Sequence, residues 1–302
     1  MVVRPPRTAV SAAPRGASRR PQLLAASYSA GARLLRTVPA GLRYAASTPG
    51  GAAWFWLSRA QRRAALVNYA AALDREPSDP EVGRVARRAF QNYGRMLTDF
   101  VLLGDLSKQE VMDRVVADHL NLLDEAIAKG RGVILALPHM GSWDMAAAFG
   151  AAAGYDMVAV AERFPGSLDD TIVRNRNRFG LDVIKVGRSA VRQIREALSL
   201  NRFVALVCDL EQGPGVEVRF FGRRAIVPAG PAAFALKLGA PVLIVHTYAT
   251  SPGRYSIAIE NAPEWPSDET NTRAMQSIVT RFESYIRARP DQWYAFRPIF
   301  KN

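Results

Sequence analysis

His139 and Asp144, within the run Pro138-His139-Met140-Gly141-Ser142-Trp143-Asp144, are the pair of residues in this sequence best suited to chemistry. A neutral imidazole takes up a proton near neutral pH. A carboxylate that accepts its Nδ1 hydrogen fixes the tautomer and leaves Nε2 as the base. On one continuous helix the five-residue spacing turns the two side chains about 140° apart. They meet only if His139 precedes the helix and the chain bends at Gly141. With that bend the pair is a general base for activating a hydroxyl. The competing reading is a histidine that merely caps a turn, beside an ordinary acid in the first turn of a helix.

The flanking sequence predicts the elements that would hold this pair. Val133-Ile134-Leu135-Ala136-Leu137 is short and apolar and follows Gly130 and Gly132, as suits a buried strand, whereas residues 145–150 are mostly helix formers with Ser142 placed as their cap. His139 then lies in a strand-to-helix turn at the carboxyl edge of a sheet, where ligands of open α/β folds bind. Upstream, Glu76-Pro77-Ser78-Asp79-Pro80 opens a helix reaching about Leu103, Ser107 caps a second helix toward Ala117, and residues 119–129 form a third, with His119 at the surface or in a cap. Downstream, strands at 157–161, 183–186, 203–207 and 242–248 alternate with helices at 168–179 and 189–200, the rhythm of a parallel sheet. Residues 254–260 alternate like an edge or antiparallel strand, and an amphipathic helix over 271–289 closes the chain. The expected fold class is α/β, a mostly parallel central sheet flanked by helices, with an N-terminal helical region.

Composition narrows the function classes. The chain has 302 residues, 49% of them hydrophobic and 22% charged, which suits a globular protein with a full core. One cysteine, Cys208, excludes an internal disulfide, and its apolar surroundings suggest an inert thiol. Three histidines without a Cys/His cluster argue against a dedicated zinc site and leave a carboxylate-held magnesium open. Gly-x4-Gly-Lys-Ser/Thr, Gly-x-Gly-x-x-Gly and Gly-x-Ser-x-Gly are all absent, so kinase, dinucleotide and nucleophile-elbow chemistry have no motif. The nucleophile is then a substrate hydroxyl.

The net charge of +13 is concentrated at the start: residues 1–73 hold eleven arginines and no acid. Residues 1–20, rich in Pro, Ala, Ser and Arg, read as a disordered basic tail. Residues 21–130 read as a helical membrane-facing or lid region, and 131–302 as the α/β catalytic core, forming one structural domain with it. Trp54-Phe55-Trp56-Leu57 beside Arg59, Arg62 and Arg63 suggests an element resting on an anionic membrane surface. A solvated helical lid and an organellar transit peptide are the alternatives. No apolar run reaches the ~18–20 residues of a span, so contact with a membrane would be peripheral. Without a helix-turn-helix, zinc-finger or RNP signature, nucleic acid is not an expected partner.

Several blocks together are more specific than the histidine motif alone. Pro138-His139-Met140-Gly141-Ser142-Trp143-Asp144 resembles the His-x4-Asp/Glu block of glycerolipid acyltransferases, in the branch of lipid A lauroyl/myristoyl and phosphatidylinositol mannoside acyltransferases. Val160-Ala161-Glu162-Arg163, Arg176 ahead of Gly180, Leu206-Val207-Cys208-Asp209, Phe220-Phe221-Gly222, Pro228-Ala229-Gly230-Pro231-Ala232-Ala233 and Pro290-Asp291-Gln292-Trp293 follow in the same order.

The resemblance implies transfer of a fatty acyl group from acyl-CoA or acyl carrier protein to a hydroxyl of a membrane lipid, first of all a phosphatidylinositol mannoside. It implies no cofactor, and a peripheral location on the cytoplasmic face of the cell membrane. His139 would be the base and Asp144 its orienting acid, while Glu162, Arg176 and Asp209 would line the substrate site. Asp209-Leu210-Glu211-Gln212 departs from the arginine-containing version of that block, which leaves a lipid A precursor or a lysophospholipid as alternative acceptors. Arg188, Arg192 and Arg195 would share a helix face able to meet phosphates, or simply a solvated face. Phe220 and Phe221 would wall an acyl channel or belong to the core. A hydrolase using the same base on water, or a non-enzymatic binder of anionic lipid, are the readings of other classes.

Overall fold

A computed structural model describes residues 19–213, 215–266 and 268–301. The expected basic tail, residues 1–20, lies outside the described residues except for Arg19 and Arg20, which open the first helix. Four helices come first: α1 (Arg19–Thr37), α2 (Ala40–Leu57), α3 (Arg59–Leu73) and α4 (Pro80–Leu102). Asp79 starts α4 by accepting a hydrogen bond from the Glu81 amide at 2.7 Å, with Pro80 in the first turn, where its missing N–H costs nothing. After α5 (Lys108–Asp113) the chain continues as β1 (Val115–Asp118), α6 (Asn121–Ile127), β2 (Val133–Leu137), α7 (Trp143–Ala152), β3 (Met157–Ala161), α8 (Ser167–Asn177), β4 (Asp182–Lys185), α9 (Ala190–Ser199) and β5 (Phe203–Val207). It ends with the hairpin β6 (Gly215–Phe220) and β7 (Arg223–Pro228), then α10 (Gly230–Leu238), β8 (Val242–Ser251), β9 (Arg254–Asn261) and α11 (Asn271–Ala288).

The α/β expectation holds. Seven strands form one sheet in the order β1-β9-β8-β2-β5-β3-β4, parallel throughout except for the β8/β9 pair. β2 lies in the middle and is buried along its whole length, which is why its sequence is a continuous apolar run rather than an alternating one. Ile134 and Ala136 face one core layer, with residues of α3, α4, α10 and α11, whereas Val133, Leu135 and Leu137 face a second layer with α7.

Two elements differ from expectation. The helix expected from Ser107 to Ala117 stops at Asp113: its capping box forms between Ser107 and Glu110, but Val115 and its neighbours pair with β9, so ladder bonds override a short helix. The β6/β7 hairpin was not anticipated, because its turn is Phe221-Gly222 rather than Asn-Gly. Both residues take positive φ, 50° and 73°, and the stacking of Phe221 on Phe220 offsets the steric cost of that conformation for a bulky side chain.

Buried polar side chains fasten the N-terminal helices to the sheet. The Asp99 carboxylate of α4 accepts from the hydroxyls of Tyr44 on α2 and Tyr255 on β9, each at 2.6 Å. Asn68 of α3 donates to the carbonyls of Ala295 at 2.9 Å and Arg297 at 2.8 Å, which ties α3 to the chain's last segment.

On β8 the ring of His246 stacks on Tyr285 of α11 with centroids 3.6 Å apart. Burial pushes this imidazole down to about 4, with Arg289 and Arg281 adding to the effect against the opposing pull of Glu260. Its ordinary value lies near 6.5, so the unfolded chain takes up the proton first as pH falls. The contribution of His246 to stability is therefore complete above about pH 6.5 and is lost as pH falls toward 4. In urea titrations across this range, stability should fall with acidity, and His246→Phe should remove most of that dependence. An unchanged acid limb in the variant would contradict the assignment.

Candidate active site

The ladder between β2 and β5 determines which acid meets the histidine. Leu137 pairs with Val207 in a parallel register, so His139 and Asp209, each two residues further on, leave the sheet side by side at the same edge. Nδ1 of His139 lies 2.6 Å from Oδ1 of Asp209. Asp209 is fully buried, and its second oxygen accepts from the indole N–H of Trp293 at 2.7 Å. Because the carboxylate takes the Nδ1 hydrogen, the imidazole is the tautomer with a bare Nε2. No described residue hydrogen-bonds to Nε2.

Asp144 was expected in that role, and the structure puts it elsewhere. It lies in the first turn of α7, where its carboxylate pairs with the guanidinium of Arg176 at 2.7 Å, both side chains being more than nine-tenths buried. The bend expected at Gly141 is present, with φ 60°. A Cβ there would collide with the carbonyl of Thr247, so only glycine fits. Thr247 also accepts from the Ser142 amide at 2.9 Å, and Ser142 caps α7 through the Met145 amide. The bend thus turns Asp144 toward α8 while His139 stays in line with its strand. Losing either member of the buried Asp144/Arg176 pair would strand a charge, at a cost of about 3–5 kcal/mol.

His139 lines a cavity of about 250 Å³. Its deep walls are apolar, among them Leu135, Phe149, Met157 and Ile257, whereas Glu162 and Arg297 line it as exposed residues. Trp143 packs edge-on to the His139 ring, with centroids 5.2 Å apart. Asp144, Glu162 and Arg176 all border the cavity, and Glu162 accepts a hydrogen bond from Gln212. Arg176 reaches it from α8, and its Nη1 is buried without an acceptor among the described residues.

Other expected site residues are not brought there. Asp209 is sealed behind His139 rather than exposed to a substrate. Phe220 and Phe221 are buried against Trp293 in the layer on the opposite side of the sheet, so they do not wall this cavity. Arg188 and Arg192 are exposed on and just before α9 and lie outside the cavity lining, with Arg192 4.0 Å from Glu196. Burial pushes the Cys208 thiol well above its usual range, so it stays protonated. Trp293 and Gln212 stand in the blocks Pro290-Asp291-Gln292-Trp293 and Asp209-Leu210-Glu211-Gln212, but the sequence names no hydrogen-bond partner for either.

The profile of the bacterial lipid A biosynthesis acyltransferases matches residues 18–302. The chain belongs to that family. It is accordingly an acyltransferase, which sets aside the reading as a non-catalytic lipid binder. It is similar to the phosphatidylinositol mannoside acyltransferase of Mycobacterium tuberculosis, 31% identical over 218 residues that cover 70% of this chain and 68% of the relative. The enzyme of the same name from Mycolicibacterium smegmatis is 30% identical over 288 residues, or 90% of this chain and 89% of that one. Among the described residues no helix is long and apolar enough to cross a membrane.

Proposed function

We propose that this enzyme moves a fatty acyl group from an acyl thioester, on coenzyme A or acyl carrier protein, to a hydroxyl of a phosphatidylinositol mannoside-like glycolipid. The observation that carries the reading is an imidazole, backed by a buried carboxylate, opening on an apolar cavity. Neutral His139 takes the acceptor hydroxyl's proton through Nε2 as the oxygen attacks the thioester carbonyl. It returns that proton to the departing thiolate when the tetrahedral intermediate collapses. Asp209 holds the ring and stabilises the imidazolium in between. Arg176, held in the cavity wall by Asp144, adds positive charge beside the reacting centre, and the apolar walls suit the acyl chain. Glu162 and Gln212 at the exposed side are placed to accept from and donate to sugar hydroxyls. The acceptor assignment is supported by the named relatives.

Membrane association in this reading is peripheral and engages the first helices. Leu34, Leu42, Trp56 and Leu57 are 62–81% exposed. The guanidinium of Arg62 lies over the rings of Phe55 and Trp56 at 5.7 and 5.3 Å. Exposed apolar side chains beside arginines fit the boundary between acyl chains and anionic headgroups.

Mass spectrometry of the products made from palmitoyl-coenzyme A, offered phosphatidylinositol mannoside, a lipid A precursor or a lysophospholipid, tests the acceptor. The mannoside should gain the acyl group, and His139→Ala should abolish its formation. A clear preference for either other lipid would overturn the acceptor assignment. The cavity makes a second expectation. A Cβ on Gly150 would stand 3.3 Å from Sδ of Met157, and both residues line the cavity. Gly150→Leu should therefore shift the preferred donor to shorter chains and Met157→Ala to longer ones. An unchanged chain-length profile in both would place the acyl chain elsewhere.

Flotation with vesicles tests the surface. Binding to anionic vesicles should exceed binding to neutral ones. It should weaken with salt, which screens such attraction over about 10 Å at 0.1 M, and with joint replacement of Arg59, Arg62 and Arg63 by Gln. Equal binding to both vesicle types would contradict an electrostatic contact.

A further inference from the structure

The last segment of the chain reaches the active site from behind. Trp293 forms an antiparallel bridge with Met140, the residue after the base. Its two neighbours complete the grip: the Gly141 amide donates to the Gln292 carbonyl at 3.0 Å, and the Tyr294 amide donates to the His139 carbonyl at 2.8 Å. Gln292 also uses its side-chain amide on β8, accepting from the Ala249 amide at 2.6 Å and donating to the Ala249 carbonyl at 2.9 Å. Three consecutive residues therefore hold the backbone of the catalytic turn.

The indole of Trp293 does something more specific. It is fully buried, with its ring centroid 5.6 Å from each of Phe220 and Phe221 and 5.9 Å from Tyr69. The Tyr69 hydroxyl donates to the Trp293 carbonyl. Held on three sides, the ring directs its N–H at Oδ2 of Asp209, 2.7 Å away, while Oδ1 faces Nδ1 of His139 at 2.6 Å. Among the described residues these are the two hydrogen bonds of the Asp209 carboxylate. One fixes the plane in which the other is made.

We propose that Trp293 is a positioning residue for the general base, acting through Asp209. A buried carboxylate bonded only to an imidazole keeps lone pairs without a donor and is free to rotate away from the ring. The indole N–H satisfies the second oxygen and places its positive end against the anion. It thereby favours the state in which Asp209 is ionised and His139 is neutral, the state that accepts a proton from a hydroxyl. Without that N–H the pair holds an added proton more tightly, because protonation of the imidazole is then a larger share of what compensates the buried anion. The base form is reached only at higher pH.

This inference rests on the reading of His139 and Asp209 as the catalytic pair, and the test separates the two. Trp293 is replaced by 3-benzothienylalanine, which keeps the bicyclic shape and puts sulfur where the N–H was, and in a second protein by Trp293→Phe. Release of thiol from palmitoyl-coenzyme A is followed with phosphatidylinositol mannoside as acceptor, and Asp209→Asn is assayed alongside. The sulfur analogue should retain the wild-type Tm and lose roughly tenfold or more in kcat, the scale of one hydrogen bond to a charged group, with KM little changed. The acid limb of its rate profile should move to higher pH, and Trp293→Phe should show the same displacement. An analogue with wild-type kcat and an unmoved profile overturns the proposal, as does a loss of kcat that follows a loss of Tm without displacement of the profile. If Asp209→Asn is severely impaired while the analogue is silent, the catalytic pair stands and the role of Trp293 falls. If Asp209→Asn is itself near wild type, the pair falls and the role of Trp293 with it.

Discussion

The pairing of β2 with β5 is the constraint on which this active site depends. Parallel strands in matched register deliver equivalent positions to the same edge, so a histidine and an aspartate two residues beyond paired Leu137 and Val207 become neighbours without any loop to arrange them. A register shift of one residue would turn one of the two side chains to the other face. Central placement in the sheet protects that register, since both strands are paired on each side and covered above and below.

Burying an anion beneath the base has consequences throughout the fold. Asp209 is out of contact with water, so its charge must be met by donors, and these come from distant parts of the sequence: His139 in the central turn and Trp293 near the C-terminus. Trp293 is in turn supported by Tyr69, and the segment after it by Asn68, both on α3. The N-terminal helices are therefore part of what holds the base as well as the source of the exposed apolar and basic surface. Asp144 and Arg176 form a second buried pair at the cavity wall, fixing α8 against α7 and leaving one arginine nitrogen free.

Much of this was legible from residue pattern alone. Strands β2, β3 and β5 match expectation residue for residue, because short apolar runs behind glycine or polar turns have few other structures available. The bend at Gly141 was expected only as the condition for His139 and Asp144 to meet, and it is present without that contact, whereas the closing helix followed from its amphipathic period. The acid partner of His139 did not follow, because Asp144 is near in sequence whereas Asp209 is near only once β5 is known to lie beside β2. Both strands were recognised in the sequence, each followed at the same interval by an ionisable residue, so strand order was the missing information. The role of Trp293 was hidden for a similar reason: a tryptophan in a late loop shows its N–H partner only when the chain returns to the sheet edge. Phe220 and Phe221 illustrate the converse, an aromatic pair whose chemistry suits a channel and whose position makes it core.

The central claim is that Asp209, rather than Asp144, holds His139 in the tautomer that leaves Nε2 bare. Imidazole 15N chemical shifts report this directly, and with only three histidines in the chain the His139 signals can be assigned by their loss in His139→Ala. Above the pH at which the ring loses its extra proton, the account predicts a pyrrole-type shift for Nδ1 and a pyridine-type shift for Nε2, a pattern lost in Asp209→Asn and kept in Asp144→Asn. A pyrrole-type Nε2 in the wild-type protein, or a pattern that survives Asp209→Asn and disappears in Asp144→Asn, would contradict it.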